Sequence, residues 1–218
     1  MRNLALSLLS ALGLAACASD LPPPAIAPTP QAIAAPDLDP DAKLASHTVV
    51  TDFAAPRDEL QAWLFPSGVG STDPNGFGRI VLEMVETEKI RKPVAADYLS
   101  GDWPEQGAVR RLQLSDGHYV LERVLDNSLP ESFTYQIWGY TTKAGQNIAY
   151  VLGEQTFEPL PDGGTRFIWT YGLKPRQAWK RPFVQGFVDS DIGPFLDGAM
   201  ERVAERADAE IGPGAADR

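Results

Sequence analysis

Beyond Ser46 apolar and polar residues alternate in short runs bounded by turn residues, the pattern of antiparallel strands. His47 to Phe53 reads as the first strand. Pro56-Arg57-Asp58-Glu59 then opens a short helix, with proline in its first turn, acids near its positive end, and Leu60, Trp63 and Leu64 on its buried face. Gly68 to Gly78, interrupted by Pro74, reads as a loop or a broken second helix, and it lacks the Lys-Ser/Thr that a phosphate loop needs. Further strands are predicted over Val81 to Lys89, Gly107 to Leu114, His118 to Leu125, Phe133 to Tyr140, Ile148 to Phe157 and Thr165 to Leu173. Ser115-Asp116-Gly117 and Pro161-Asp162-Gly163-Gly164 have the composition of hairpin turns. The last segment changes to helical spacing, with Phe183, Phe187, Phe195, Ala199 and Val203 on one face and Glu201, Arg202, Glu205 and Arg206 opposite. Pro194 is expected to kink or divide that helix. The expected class is α+β, an antiparallel sheet against a long C-terminal helix.

The first residues follow a different pattern. Arg2 precedes an apolar run from Leu4 to Leu14, which is shorter than the roughly 20 residues a membrane span requires. The run closes on Leu14-Ala15-Ala16-Cys17, which resembles the lipobox of bacterial lipoprotein precursors. The resemblance implies a signal peptide over residues 1–16 and acyl chains on Cys17, such as palmitate. Cys17 is the only cysteine, so it forms no internal disulfide. Residues 17–45 hold Pro22-Pro23-Pro24, Pro28, Pro30, Pro36 and Pro40 among alanines and read as a semi-rigid, solvated tether. The domain is expected over 46–209, with a disordered tail at 210–218. The expected location is the cell envelope; Ala18 after the lipidated cysteine points to the outer membrane, facing the periplasm, in a Gram-negative cell.

Strand alternation predicts which side chains share a face. A three-residue turn with Gly117 left-handed sets Leu112 opposite Val120 and Arg110 opposite Glu122, gathering Leu112, Leu114, Val120 and Val124 on one side. It also sends Tyr119, Leu121 and Leu125 to the other. A two-residue Asp116-Gly117 turn sets Arg111 opposite Glu122 instead. Later strands group Phe133, Tyr135 and Ile137, then Tyr150, Leu152 and Glu154, then Phe167, Trp169, Tyr171 and Leu173. Such a surface, apolar with a few polar handles, is either a closed core or the lining of a small-molecule pocket.

The order of elements resembles the START-like or SRPBCC superfamily, of the polyketide cyclase/dehydrase and lipid-transport type. The carrying residues are Gly107-Ala108-Val109-Arg110, Asp116-Gly117, Glu122-Arg123-Val124, Phe133-Thr134-Tyr135-Gln136-Ile137 and Gly163 to Tyr171. The resemblance implies a curved, helix-grip sheet wrapped around the last helix with a ligand cavity between, closed off by Phe187, Phe195 and Ala199.

Catalytic constellations are sparse. His47 and His118 are the only histidines, too few for a zinc site, and Asp189-Ser190-Asp191 lacks the rest of a calcium loop. No metal or cofactor is expected. Glu122, Arg110 and Tyr135 are the candidates for acid–base work, with a structural ion pair as the alternative role of Glu122. The formal charge is −10, and losing Arg2 on processing takes 19 basic residues to 18 against 29 acidic ones, which disfavours nucleic acid as a partner and docking onto anionic lipid surfaces by charge alone. The expected function is a lipid-anchored carrier or sensor of a hydrophobic small molecule or lipid. The alternatives are an enzyme of the cyclase/dehydrase kind and a structural envelope protein with a closed core.

Overall fold

The computed structural model describes residues 34–65 and 78–213. The lipobox, Cys17, most of the tether and the glycine-rich stretch lie outside the described residues. Seven strands form one antiparallel sheet: β1 (Ala45–Phe53), β2 (Pro93–Ser100), β3 (Val109–Leu114), β4 (Tyr119–Ser128), β5 (Ser132–Trp138), β6 (Ile148–Pro159) and β7 (Thr165–Pro175), in the order β1-β7-β6-β5-β4-β3-β2. Helices α1 (Arg57–Leu64) and α2 (Arg79–Leu82) follow β1, and α3 (Arg181–Phe187) and α4 (Gly193–Glu210) follow β7. The sheet is curved, and α4 packs on its concave face.

Local chemistry explains most boundaries. Pro56 precedes α1, whose first turn carries Asp58 and Glu59 and whose buried side chains are Leu60, Trp63 and Leu64. Gly117 has φ 83° and closes the β3–β4 hairpin, with Leu114 N–H donating to His118 O at 2.7 Å. Arg110 therefore pairs with Glu122 and Leu112 with Val120, the register of the three-residue turn. Between α3 and α4 the chain keeps winding as a π-helical turn, Val188–Ile192. Pro194 supplies no backbone N–H and its ring crowds the preceding turn, so the ordinary bonding pattern cannot run through it.

Val81 to Lys89 is not a strand. Ile80 and Met84, four residues apart, are the buried positions there, while Leu82 and Val85 are 47% and 60% exposed, so the segment is the helical turn α2 followed by irregular chain. The strand in that part of the sequence is β2, an edge strand that begins on proline, contains adjacent alanines and pairs irregularly with β3. Those features weaken its signal.

The spacer expectation also changes at its C-terminal end. Ala35 and Leu44 pack on a convex-face cluster of Leu121, Trp138 and Tyr150, and Pro36 O accepts a hydrogen bond from Gln136 Nε2 at 2.9 Å. Asp39 pairs with Lys174 at 3.0 Å. At the other end Glu210 still belongs to α4, accepts from Trp63 Nε1 at 2.8 Å, and is followed by Ile211 against the core.

Candidate functional site

Strand pairing sets the concave face out in rows. Tyr98, Arg110, Glu122, Ile137, Val151 and Leu173 form one row across neighbouring strands; Val124, Tyr135, Gly153 and Tyr171 form the next. Phe133, Gln155 and Trp169 make a third, followed by Phe157 and Phe167. The face is mostly apolar, with its polar groups concentrated in the first three rows.

Arg110 Nε donates to Glu122 Oε2 at 2.5 Å, with both side chains about nine-tenths buried or more. The guanidinium lies 3.7 Å from the ring centre of Trp103, which meets Phe133 edge-on at 6.0 Å. The ion pair is thus held between a hydrogen bond and an aromatic face, which offsets part of the cost of removing two charges from water. Beside it Trp169 Nε1 donates to Tyr135 Oη at 3.0 Å, and Tyr140 donates to Tyr171. Burial raises the pKa of all three phenols. Tyr171 is pushed up to about 12, and Tyr135 and Tyr140 stand well above their ordinary value, with the Glu122 carboxylate adding to the effect. At neutral pH the phenols are hydrogen-bond donors or acceptors, not bases.

Gly153 makes room for this arrangement. A Cβ there would lie 2.1 Å from Tyr135 Cζ, so the phenol crosses the sheet where β6 has no side chain. One row on, Gln155 is 6% exposed and its Oε1 has no hydrogen-bond partner among the described residues. Tyr98 Oη, opposite Arg110, is likewise buried and unpartnered there.

Of the residues expected to line a pocket, Leu112, Val120, Phe133, Ile137, Phe167, Trp169 and Ala199 are buried in the main core, together with Tyr135; Tyr171 is partly buried against them. Leu114 is buried near the β3–β4 turn. Tyr150 and Leu152 are corrections. Val151, Gly153, Gln155 and Phe157 face the helix, so Tyr150 and Leu152 point to the convex side, where Tyr150 joins Leu121 and Trp138. Both faces of β6 carry apolar residues, and alternation alone could not choose between them; Phe157 was the signal that favoured the other parity. Phe183 is a further correction: it is 54% exposed, while Val184, Val188, Leu196, Met200 and Ala207 carry the burial with Ala199 and Val203. Phe187 and Phe195 are partly buried against the core. Sequence reading missed Trp103, Tyr140, Tyr98 and Gln155. Trp103 lies in a turn outside the periodic runs, and Tyr140 follows the end of β5 at Trp138.

Two open grooves flank α4. One of about 190 Å³ is lined by Val85, Thr87, Asp191, Phe195 and Arg202 among others, and one of about 490 Å³ by Val49 to Asp52 with Asp197, Glu201 and Glu205. Neither reaches Arg110, Glu122 or the tyrosines. No group of His, Cys, Asp and Glu among the described residues could hold a metal ion, and no helix there is long and apolar enough to cross a membrane.

A curved antiparallel sheet gripping a C-terminal helix, with polar groups turned toward that helix, defines a helix-grip protein. The model of the family described as polyketide cyclase / dehydrase and lipid transport matches residues 72–208, and the chain belongs to that family. The crystal structure of Ara h 8.0201 aligns with a TM-score of 0.52 at 12% identity, covering 75% of this chain and 99% of that one. Protein Ms6760 from Mycobacterium smegmatis gives 0.45 at 16% identity, covering 78% and 95%. A protein from Nitrosospira multiformis gives 0.48 at 14%, covering 79% and 99%. No curated protein matches the sequence. The family's description couples polyketide chemistry with lipid transport, both of which handle hydrophobic ligands.

Proposed function

We propose that the protein is an envelope lipoprotein, anchored through Cys17, that carries or senses a hydrophobic small molecule or lipid between the concave sheet and α4. The observation that supports this reading is the polar set turned toward the helix: a buried ion pair, three phenols of which Tyr135 is buried and Tyr140 and Tyr171 partly so, and an amide oxygen without a partner among the described residues, on an otherwise apolar face. A core selected only for stability gains little from such groups, since each costs desolvation that apolar residues avoid. A pocket gains orientation and selectivity from them.

Uptake of an environment-sensitive apolar dye tests the reading. The wild type should enhance dye emission, and Ala199→Trp, which adds a ring at a fully buried position of α4, should abolish it with little change in thermal midpoint. No uptake by the wild type, with severe destabilisation by Ala199→Trp, would replace the carrier by a closed structural core. In that case overpacking costs roughly 1–3 kcal/mol or more.

A cyclase/dehydrase reading has one favourable observation. Tyr135 keeps its proton far into alkaline pH and lies near Glu122 and Arg110, so it could donate to a substrate carbonyl while Glu122 accepts a proton. Turnover of a polyketide mimic that Tyr135→Phe abolishes without loss of binding would favour that reading.

A further inference from the structure

The exposed aromatic residues gather at one corner, where β7 passes into α3. Trp179 is 67% exposed and Phe183 54%, and their rings meet edge-on at 6.3 Å. Lys180 Nζ lies 5.4 Å from the Trp179 ring centre. Large aromatic side chains side by side in water lose the burial that normally favours them, and such a patch marks a surface that meets something apolar.

The stretch of chain that carries the pair differs in charge from the rest of the sequence. The chain has a formal charge of −10, yet from Gly163 to Val188 it contains no acidic residue. Lys174, Arg176, Lys180 and Arg181 all lie within this stretch. Lys174 is neutralised by Asp39, but Lys180 donates to Asn147 Oδ1 at 2.7 Å and Arg181 to Leu44 O at 3.2 Å, both uncharged acceptors, and Arg176 is exposed. The loop through Asn147 packs beside them, its carbonyl accepting from Arg176 N at 2.9 Å. An exposed aromatic pair with Lys180 beside it and Arg176 and Arg181 close along the chain suits the boundary between lipid headgroups and acyl chains.

Residues 39–45 pass this corner before the chain turns toward Pro36 and Ala35 on the convex face. Ala45 pairs with Leu173, Asp39 with Lys174, and Leu44 O accepts from Arg181, so the segment leading to the N-terminal residues is bonded along this corner. We propose that the Trp179–Phe183 corner docks on an anionic phospholipid bilayer, with both rings entering the interface and Arg176, Lys180 and Arg181 meeting lipid phosphates. The site is separate from the concave face and does not require a ligand there. An acidic protein surface is the competing occupant. The bilayer fits better because two exposed rings and three cations on one stretch of chain match a planar, charged boundary without a complementary pocket.

The test uses the full chain on vesicles of phosphatidylcholine alone or mixed with phosphatidylglycerol, with acyl chains brominated, and reads tryptophan quenching on the vesicle-bound fraction. Trp63, Trp138 and Trp169 are buried and Trp103 is partly buried, so Trp179 is the accessible reporter. As one of five tryptophans it should yield a loss of about a fifth of the emission on the mixed vesicles and much less on phosphatidylcholine alone. Trp179→Phe should remove the quenchable component, and Arg176→Glu with Lys180→Glu should bring the mixed-vesicle result down to that of the neutral vesicles. These residues are surface groups, and an unchanged thermal midpoint checks that the variants fold. Absence of quenching on anionic vesicles, quenching that survives Trp179→Phe, or equal quenching on both vesicle types would each overturn the proposal. Failure of dye uptake at the concave face would leave it standing.

Discussion

Arg110 and Glu122 show how much a single pairing decides at the residue scale. Both are buried, so truncating either leaves a charge without its partner, and Glu122→Ala should destabilise by about 3 kcal/mol. A double-mutant cycle in denaturant should show strong coupling between Arg110 and Glu122 and none between Arg111 and Glu122, since Arg111 lies on the other face and pairs with Asp97. Additive effects of Arg110→Ala and Glu122→Ala would contradict the geometry. Gln155 runs the opposite way. Its amide oxygen is buried without a partner among the described residues, so Gln155→Met, similar in size and without the orphaned acceptor, should hold or raise the thermal midpoint of the ligand-free protein. A clear drop would mean that a bonded group, such as an internal water, satisfies the amide. The Arg110–Glu122 pair was legible because the β3–β4 turn and alternation brought the two together. Gln155 was not, because grouping Tyr150, Leu152 and Glu154 on the inner face of β6 sends Gln155 to the other side.

Among the elements, β6 carries the closest packing constraint. Gly153 leaves the gap that the Tyr135 ring occupies, and a methyl group there must displace the phenol. Gly153→Ala should therefore cost roughly 1–3 kcal/mol by overpacking and loosen the Trp169–Tyr135 hydrogen bond, seen as a shift in tryptophan emission. An unchanged midpoint and emission would show that Tyr135 does not lie across β6. The same strand marks the limit of sequence reading: Tyr150 and Leu152 look like core residues, but both lie on the convex side, Tyr150 buried beside Ala35 and Leu44 and Leu152 half-buried. Two faces covered by different parts of one chain produce the same alternation. β2 failed for another reason, since an edge strand opened by proline and built on alanine carries little strand signal, whereas Val81 to Val85 carries a strong one that the adjacent helical turn overrides.

For the whole molecule, the buried phenols tie stability to alkaline pH. In the unfolded chain tyrosine ionises near pH 10, but Tyr171 in the folded protein holds its proton to about pH 12 and Tyr135 and Tyr140 stand well above their ordinary value. Where the unfolded state releases protons that the folded state keeps, stability falls as pH rises. The stabilisation is complete below about pH 10 and should decline steadily through about pH 12, with phenolate absorbance of these residues appearing together with unfolding. Phenolate absorbance from Tyr135, Tyr140 and Tyr171 that precedes unfolding would contradict their burial. The fold itself was legible from hairpin turns, strand spacing and the C-terminal helical period, because each is local. The contents of its interior were not, because they depend on how seven strands curve around one helix.

The central claim, that this interior holds a hydrophobic ligand, is tested most directly by mass spectrometry of organic extracts from the protein purified out of its native membranes. The account predicts one lipid or small-molecule class recovered in stoichiometric amount from the wild type and strongly depleted from Ala199→Trp purified in parallel. Equal recovery of bulk membrane lipid from both proteins, with no enriched species, would contradict it.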